Sequence, residues 1–268
     1  MSEITFFSLY LLAAGALVMC RLPRFATYNR ALLVTGSLMA SVGIALHGTS
    51  LITVIVTTAG FNLSLGNAAS MIGLELALIA LIATIEPTLR GMSAGLLILA
   101  ALAATMTGAS VAPDSLTVLA WQTRAHVLIS LLSYGLLTVG AIVAVYALVH
   151  ERRLRAGRIS AFNQLFAPLE TSESLLFGIT AAGFAGLALA IISGATFVDD
   201  LFAQHLAHKT VLSLLALIVF GALLAGRFFA GWRGKRAISL YLSGFALLFL
   251  AYFGSRYVLE EILHRSWG

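Results

Sequence analysis

Eight apolar runs follow one another along the chain, separated by short stretches that hold most of its charge. They cover approximately residues 4–22, 31–56, 67–85, 92–109, 124–149, 174–197, 208–228 and 237–259. A helix rises 1.5 Å per residue, so about 20 apolar residues cross a hydrocarbon layer about 30 Å thick. The runs are apolar all round rather than alternating with period two, which predicts helices and not barrel strands. The fourth is short and rich in Ala, Gly and Thr. In the sixth, "GITAAGFAGLALAIISGA", small residues leave room for a neighbouring helix to come close. The expected fold is all-α: a polytopic integral membrane protein whose residues 1–268 form one integral membrane domain, a bundle of eight transmembrane helices.

Composition agrees, with 60% of the residues hydrophobic and 10% charged. The net charge of +5 does not point to nucleic acid, because the basic residues sit in clusters between the apolar runs, where membrane topology places them. The connections after runs one, three, five and seven carry Arg21, Arg24 and Arg30, then Arg90, then Arg152, Arg153, Arg155 and Arg158, then Arg227, Arg233, Lys235 and Arg236. That is twelve of the sixteen basic residues. The opposite connections hold Asp114, Asp199 and Asp200, with Arg124, Lys209, Arg256 and Arg265 the remaining cations. Both termini are therefore expected on the outer, periplasmic side of a bacterial inner membrane. At the N-terminus Glu3 precedes the apolar run and Arg21 and Arg24 follow it, the reverse of a signal peptide, so a retained first helix is expected. In "LVMC" Met19 is too large for a lipoprotein cleavage site. The single cysteine, Cys20, forms no internal disulfide and belongs to no metal-binding spacing.

The six histidines sort by depth. His150 falls in an inner basic connection and His264 in the outer tail, both read as solvated loop residues. His47 lies about two thirds along the second run, travelling outward. His126 opens the fifth run on the outer side, and His205 and His208 precede the seventh there. Ionisable groups inside a membrane cost about 2.5–3.5 kcal/mol when charged, and neutral imidazole still needs partners in place of water. A functional role for His47 is weighed against a neutral ring bonded to a neighbouring helix; His126 and His208 also suit the wet interface. Zinc asks for three or four His, Cys or carboxylate ligands, for which Asp199 and Asp200 are near in sequence. Haem asks for one or two axial imidazoles, an apolar slot and cations for its propionates, which Arg124, Lys209 and Arg256 would supply. Physical chemistry favours haem by a modest margin.

The segments "RAHVLISLLSYGLLTVGAIVAVYAL", "FNQLFAPLETSESLLFGITAAGFAGLALAIISG", "HKTVLSLLALIVFGALLAGRFFAGWRGKRA" and "LAYFGSRYVLEEIL" resemble the cytochrome c assembly family of membrane proteins, with its CcsA-, CcmC- and HemX-like members. "FNLSLGNAASMIG", before the third run, is similar to the family's matching outer loop, so the likeness runs from the second run onward. "GWRG" and "YFGSR" are its specific parts. The resemblance implies an eight-helix bundle that handles haem, of the b type, with histidines near the outer face as iron ligands. By motif these would be His126 in "RAHVLISLLSYG", His47 in "IALHGTSL" and His208 in "HLAHKTVLSLLA"; His205 matches no family position. The tryptophan-rich outer segment with its "WWD" signature is missing, and Trp121, Trp232 and Trp267 are too scattered to rebuild it. Haem binding or transfer is thus implied, without attachment to a cytochrome.

Glu75 is mid-run, either a proton-relay residue or a hydrogen-bonded carboxyl, and stays unassigned. "GWRGKR" reads as an ordinary basic inner loop, with anionic lipid the alternative. The connection over 150–173 is the longest, expected as an interfacial helix and a Pro-marked turn; with 227–236 it offers the docking surface for a membrane or cytosolic partner. No phosphate loop, Ser-His-Asp arrangement or nucleotide-binding domain is present, so no enzyme is expected. The reading is a haem-binding or haem-transfer protein that uses His126, His47 and His208 for iron. Its competitors are a HemX-like regulatory scaffold without haem and a small-solute or metal transporter, the latter unsupported by any clear internal repeat.

Overall fold

Apolar runs of this length fold as helices because a helix satisfies its own backbone hydrogen bonds. The structure, a computed structural model, describes residues 3–57, 60–61, 64–107, 121–157, 168–197 and 207–254. It contains α1 (Glu3–Arg21), α2 (Asn29–Ile55), α3 (Leu65–Ala83), α4 (Arg90–Ala104), α5 (Trp121–Arg155), α6 (Leu169–Phe197), α7 (Ala207–Ala230) and α8 (Gly234–Phe249). Among the described residues eight helical segments are long and apolar enough to cross a membrane, α4 together with the 3-10 turn Pro87–Leu89 before it and α8 together with the residues up to Tyr252 after it. Two-residue strands, Val56–Thr57 and Gly60–Phe61, follow α2, and a π-helical turn, Leu250–Gly254, continues α8. The protein is therefore an all-α, multi-pass membrane protein, as the apolar runs predict.

The boundaries differ from expectation where side chains intervene. α4 stops at Ala104, five residues early, where Thr105 and Thr107 turn their hydroxyls onto the carbonyls of Leu102 and Ala104. α5 instead runs six residues further than predicted, to Arg155, held by the Glu151–Arg155 ion pair at 2.6 Å one turn apart. Its 35 residues span about 50 Å. His150, expected in a solvated loop, is consequently inside α5 and buried. The 150–173 connection is likewise helical at both ends, in α5 and α6, and the interfacial helix expected between them falls on residues 158–167, outside the described residues.

The chain packs as two compact units that alternate along the sequence, with one boundary inside α5 between Ala144 and Val145 and another in the first turns of α6 between Ser172 and Glu173. In the first unit α1 packs on α2 and α4, and α3 packs on α4 and α2, which closes a ring of four helices. The α3–α4 seam is tight at Gly73, where an added Cβ would lie 2.7 Å from the Cβ of Ala103 and 3.2 Å from the Ala100 carbonyl. The short link from α1 to α2 is tied by Cys20, whose buried thiol donates to the Asn29 side-chain oxygen at 2.6 Å. Ser64 caps α3 by accepting the Asn67 N–H at 3.2 Å.

In the second unit the small residues of α6 do what their sequence suggests: Gly183 lies against Leu137 of α5, and Gly186 against Ser133. Phe184 of α6 packs on Gly221 of α7, and Phe220 of α7 packs on Gly244 and Tyr241 of α8. Tyr241 completes the circuit by donating its phenol to the Leu137 carbonyl at 2.8 Å, its ring tip pressed against Gly140 of α5. This contact can be tested by substitution. Tyr241→Phe loses one buried hydrogen bond and is expected to cost about 1 kcal/mol. Gly140→Ala drives a methyl into the phenol and should cost about 1–3 kcal/mol. The double variant should cost less than the two together, because both act on one contact. Thermal melting in detergent reads all three.

Candidate functional site

His126 stands near the start of α5, partly buried, with its Nδ1 2.9 Å from the hydroxyl of Ser193 on α6. Ser193 spends its one proton on the Ala190 carbonyl, 3.0 Å away. A hydroxyl that has donated can only accept, so Nδ1 carries the imidazole proton and Nε2 keeps its lone pair. A histidine that ligates a metal is commonly prepared in this way, with one nitrogen held by a neighbour and the other exposed as donor. The ring lies over Gly194, where an added Cβ would sit 3.1 Å from Cε1. The ammonium of Lys209, at the start of α7, acts electrostatically on this imidazole. Lys209 also lies 5.0 Å above the ring of Tyr252, and Tyr252 packs at 5.7 Å on buried Tyr134, two turns along α5. A prepared nitrogen, a cation and two aromatic rings thus gather within the second unit.

His47, in the first unit, is built differently. It is wholly enclosed, with Phe6 stacked on it at 4.9 Å and Tyr10 edge-on at 5.9 Å. Both nitrogens are engaged, Nδ1 with the Tyr10 hydroxyl at 3.1 Å and Nε2 with the Ser70 hydroxyl at 2.8 Å. Ser70 continues to Thr107 at 2.6 Å, and Thr107 donates to the Ala104 carbonyl at 2.8 Å. The carbonyl fixes every proton upstream. Thr107 accepts from Ser70, Ser70 accepts from Nε2–H, and Nδ1 accepts from Tyr10. One ring on α2 joins α1 to α3, the hydroxyls carry the link on to Thr107 just past α4, and the lone pair a metal would need already faces the tyrosine.

The other predicted residues are spread wider. His208 and Arg124 are exposed, at the starts of α7 and α5, while Arg256 and His205 lie outside the described residues. Glu75 is on α3, away from this chain of hydroxyls, with its buried Oε2 lacking a hydrogen-bond partner. Among the described residues no three of His, Cys, Asp and Glu gather as a metal cluster, and Asp199 and Asp200, the carboxylates of the zinc alternative, lie outside the described residues. Ser193, Tyr10, Ser70 and Thr107 escaped the sequence reading: hydroxyls are common in these runs, and partners 23 to 67 residues apart share no spacing.

Known proteins match in a consistent way. The family described as "Cytochrome C assembly protein" matches residues 35–264. Inner membrane protein YpjD of Escherichia coli K12 is 36% identical over 137 residues, 51% of this chain and 52% of the relative. Cytochrome c biogenesis protein CcsA of Guillardia theta is 26% identical over 159 residues, 53% of each chain, and that of Trichormus variabilis is 32% identical over 101 residues, 37% of this chain and 28% of the relative. The chain thus spans about half the length of the curated relatives it matches first. No solved structure matches. The family match takes in α3 to α8 whole, most of α2, and both histidines described above, and on that breadth the chain belongs to the cytochrome c assembly protein family.

Proposed function

We propose that this is a non-enzymatic haem-handling protein of the inner membrane, binding haem b at its outer side and passing it on. The observation that carries the reading is the prepared Nε2 of His126, set by Ser193 in a chain of this family. The name of the YpjD relative supports the inner membrane, and the CcsA names support a place in cytochrome c biogenesis. The distribution of basic residues supports an outer location for the starts of α5 and α7.

The residues present fit the group. Haem, when bound, would supply an iron centre that takes nitrogen ligands and two propionates that seek cations. His126 offers its lone pair and keeps its ring from turning through Ser193. Lys209, with Arg124 and Arg256, is positioned in the sequence to neutralise propionates, and Tyr134 and Tyr252 offer aromatic surface. His208, exposed on α7 in the same unit, would be the candidate for a second nitrogen ligand. His47 reaches iron only by giving up Tyr10, so in the conformation described it acts as a clip between helices.

Protein purified in detergent from haem-replete cells should show a Soret band that His126→Ala abolishes. Ser193→Ala should keep the band but weaken haem retention by about tenfold, the usual scale for losing the group that orients a metal-ligating histidine. A missing band in the parent protein, or one that His126→Ala leaves unchanged, would sink the haem reading. His47→Ala leaves Tyr10 and Ser70 without their partner and is expected to cost about 1–3 kcal/mol of stability on thermal melting. Its spectrum should keep the band; loss of an axial signature in that variant, if the protein still folds, would move iron ligation to His47.

A further inference from the structure

The carboxyl of Glu75 is used by none of the chemistry above. It is the eleventh of the 19 residues of α3, about 15 Å from one end of the helix and 12 Å from the other, hence near the middle of the layer the helix crosses. The packed side of α3 is made by Gly73, Leu76, Ala77 and Ala80. Glu75 projects from the opposite side, in a stripe with Met71, Leu78 and Ile82 at helical spacing. Leu78 is 42% and Ile82 66% exposed, as apolar side chains that face lipid are. Yet Oε2 of Glu75 is buried and has no hydrogen-bond partner.

The helices packed on α3 bring no charge to this level. α2 carries Arg30 in its first turn, and its His47 is held by Tyr10 and Ser70. α4 carries Arg90 at its first residue, donating from Nε to the Thr84 carbonyl at 3.1 Å. An ionised carboxylate with an unpartnered oxygen and no cation at its depth is the costly form, whereas the neutral acid is tolerated. We propose that Glu75 is a proton-exchange site reached from the lipid: a neutral carboxyl at mid-depth whose ligand is a proton, and which an apolar carboxyl reagent can reach where a polar one cannot. The inference is independent of haem.

Dicyclohexylcarbodiimide supplies the probe. The carboxyl oxygen adds to the central carbon of the reagent, its proton goes to one nitrogen, and the acyl group then shifts from oxygen to nitrogen, leaving a stable N-acylurea with no group lost. Membranes holding the full chain are treated with this reagent or with a water-soluble carbodiimide, and the peptides are weighed by mass spectrometry. The apolar reagent should label Glu75 and the water-soluble one should not, although it labels exposed Glu86. Glu75→Gln should abolish the adduct and Glu75→Asp should retain it, which keeps the test readable if the glutamine variant accumulates poorly. Infrared spectra of the same membranes should contain a protonated-carboxyl band that Glu75→Gln removes and that declines as the pH is raised. Failure of the apolar reagent to label Glu75, equal labelling by both reagents, or a band indifferent to pH while the protein stays folded would each overturn the proposal.

Discussion

Hydrocarbon contains no water, so every polar group the chain carries into the membrane must find its partner in the chain itself. That constraint accounts for more of this structure than any one contact. It makes each span a helix, and it turns serine and threonine hydroxyls back onto carbonyls one turn earlier, as at Ser133, Thr138, Thr180 and Ser243. With so little charge, the helices are joined mainly by shape: Gly73 against Ala103, Gly183 against Leu137, Phe220 against Gly244. The few polar links between helices are then decisive, because the alternative to making them is an unpaired group in a low dielectric.

The two histidines show how one constraint yields opposite results. At His47 the hydroxyl chain ends on a backbone carbonyl, and each proton is committed up to the tyrosine. No lone pair is left over, and the ring is closed in by Phe6. At His126 the chain ends one member sooner. Ser193 commits a single imidazole nitrogen and leaves the other with its lone pair. Two rings that are alike in sequence as polar residues in apolar runs therefore differ in chemistry through the number of hydroxyls within reach.

The eight spans were legible because hydrophobicity is a local property, and the close packing of α6 was readable from its small residues, of which Gly183, Gly186 and Gly194 meet side chains of α5. The end of α5 was not, because Arg152, Arg153 and Arg155 read as a loop until the Glu151–Arg155 pair is seen to continue the helix. His150 was misplaced with it. For the site, the sequence pointed to His126 and His47 as residues that need partners, but it could not say which partners. Ser193 is 67 residues from His126, and Tyr10 is 37 from His47; such pairings depend on how helices are arranged, which no run of apolar residues encodes.

Glu75 stands out against this background because its Oε2 breaks that rule in the middle of a span. Ser70, five residues earlier on the same helix, is fully enclosed and bonded to two neighbours, while the Glu75 Oε2 has none. The difference follows from helical geometry: five residues turn the helix by about 140°, carrying the side chain from the packed side of α3 to its apolar, exposed side. A substitution by leucine there would remove an unpaired polar atom and extend the stripe of Met71, Leu78 and Ile82, so packing alone gives no reason to keep a carboxyl. What a carboxyl has and leucine lacks is an exchangeable proton, and that property is the one its surroundings leave available.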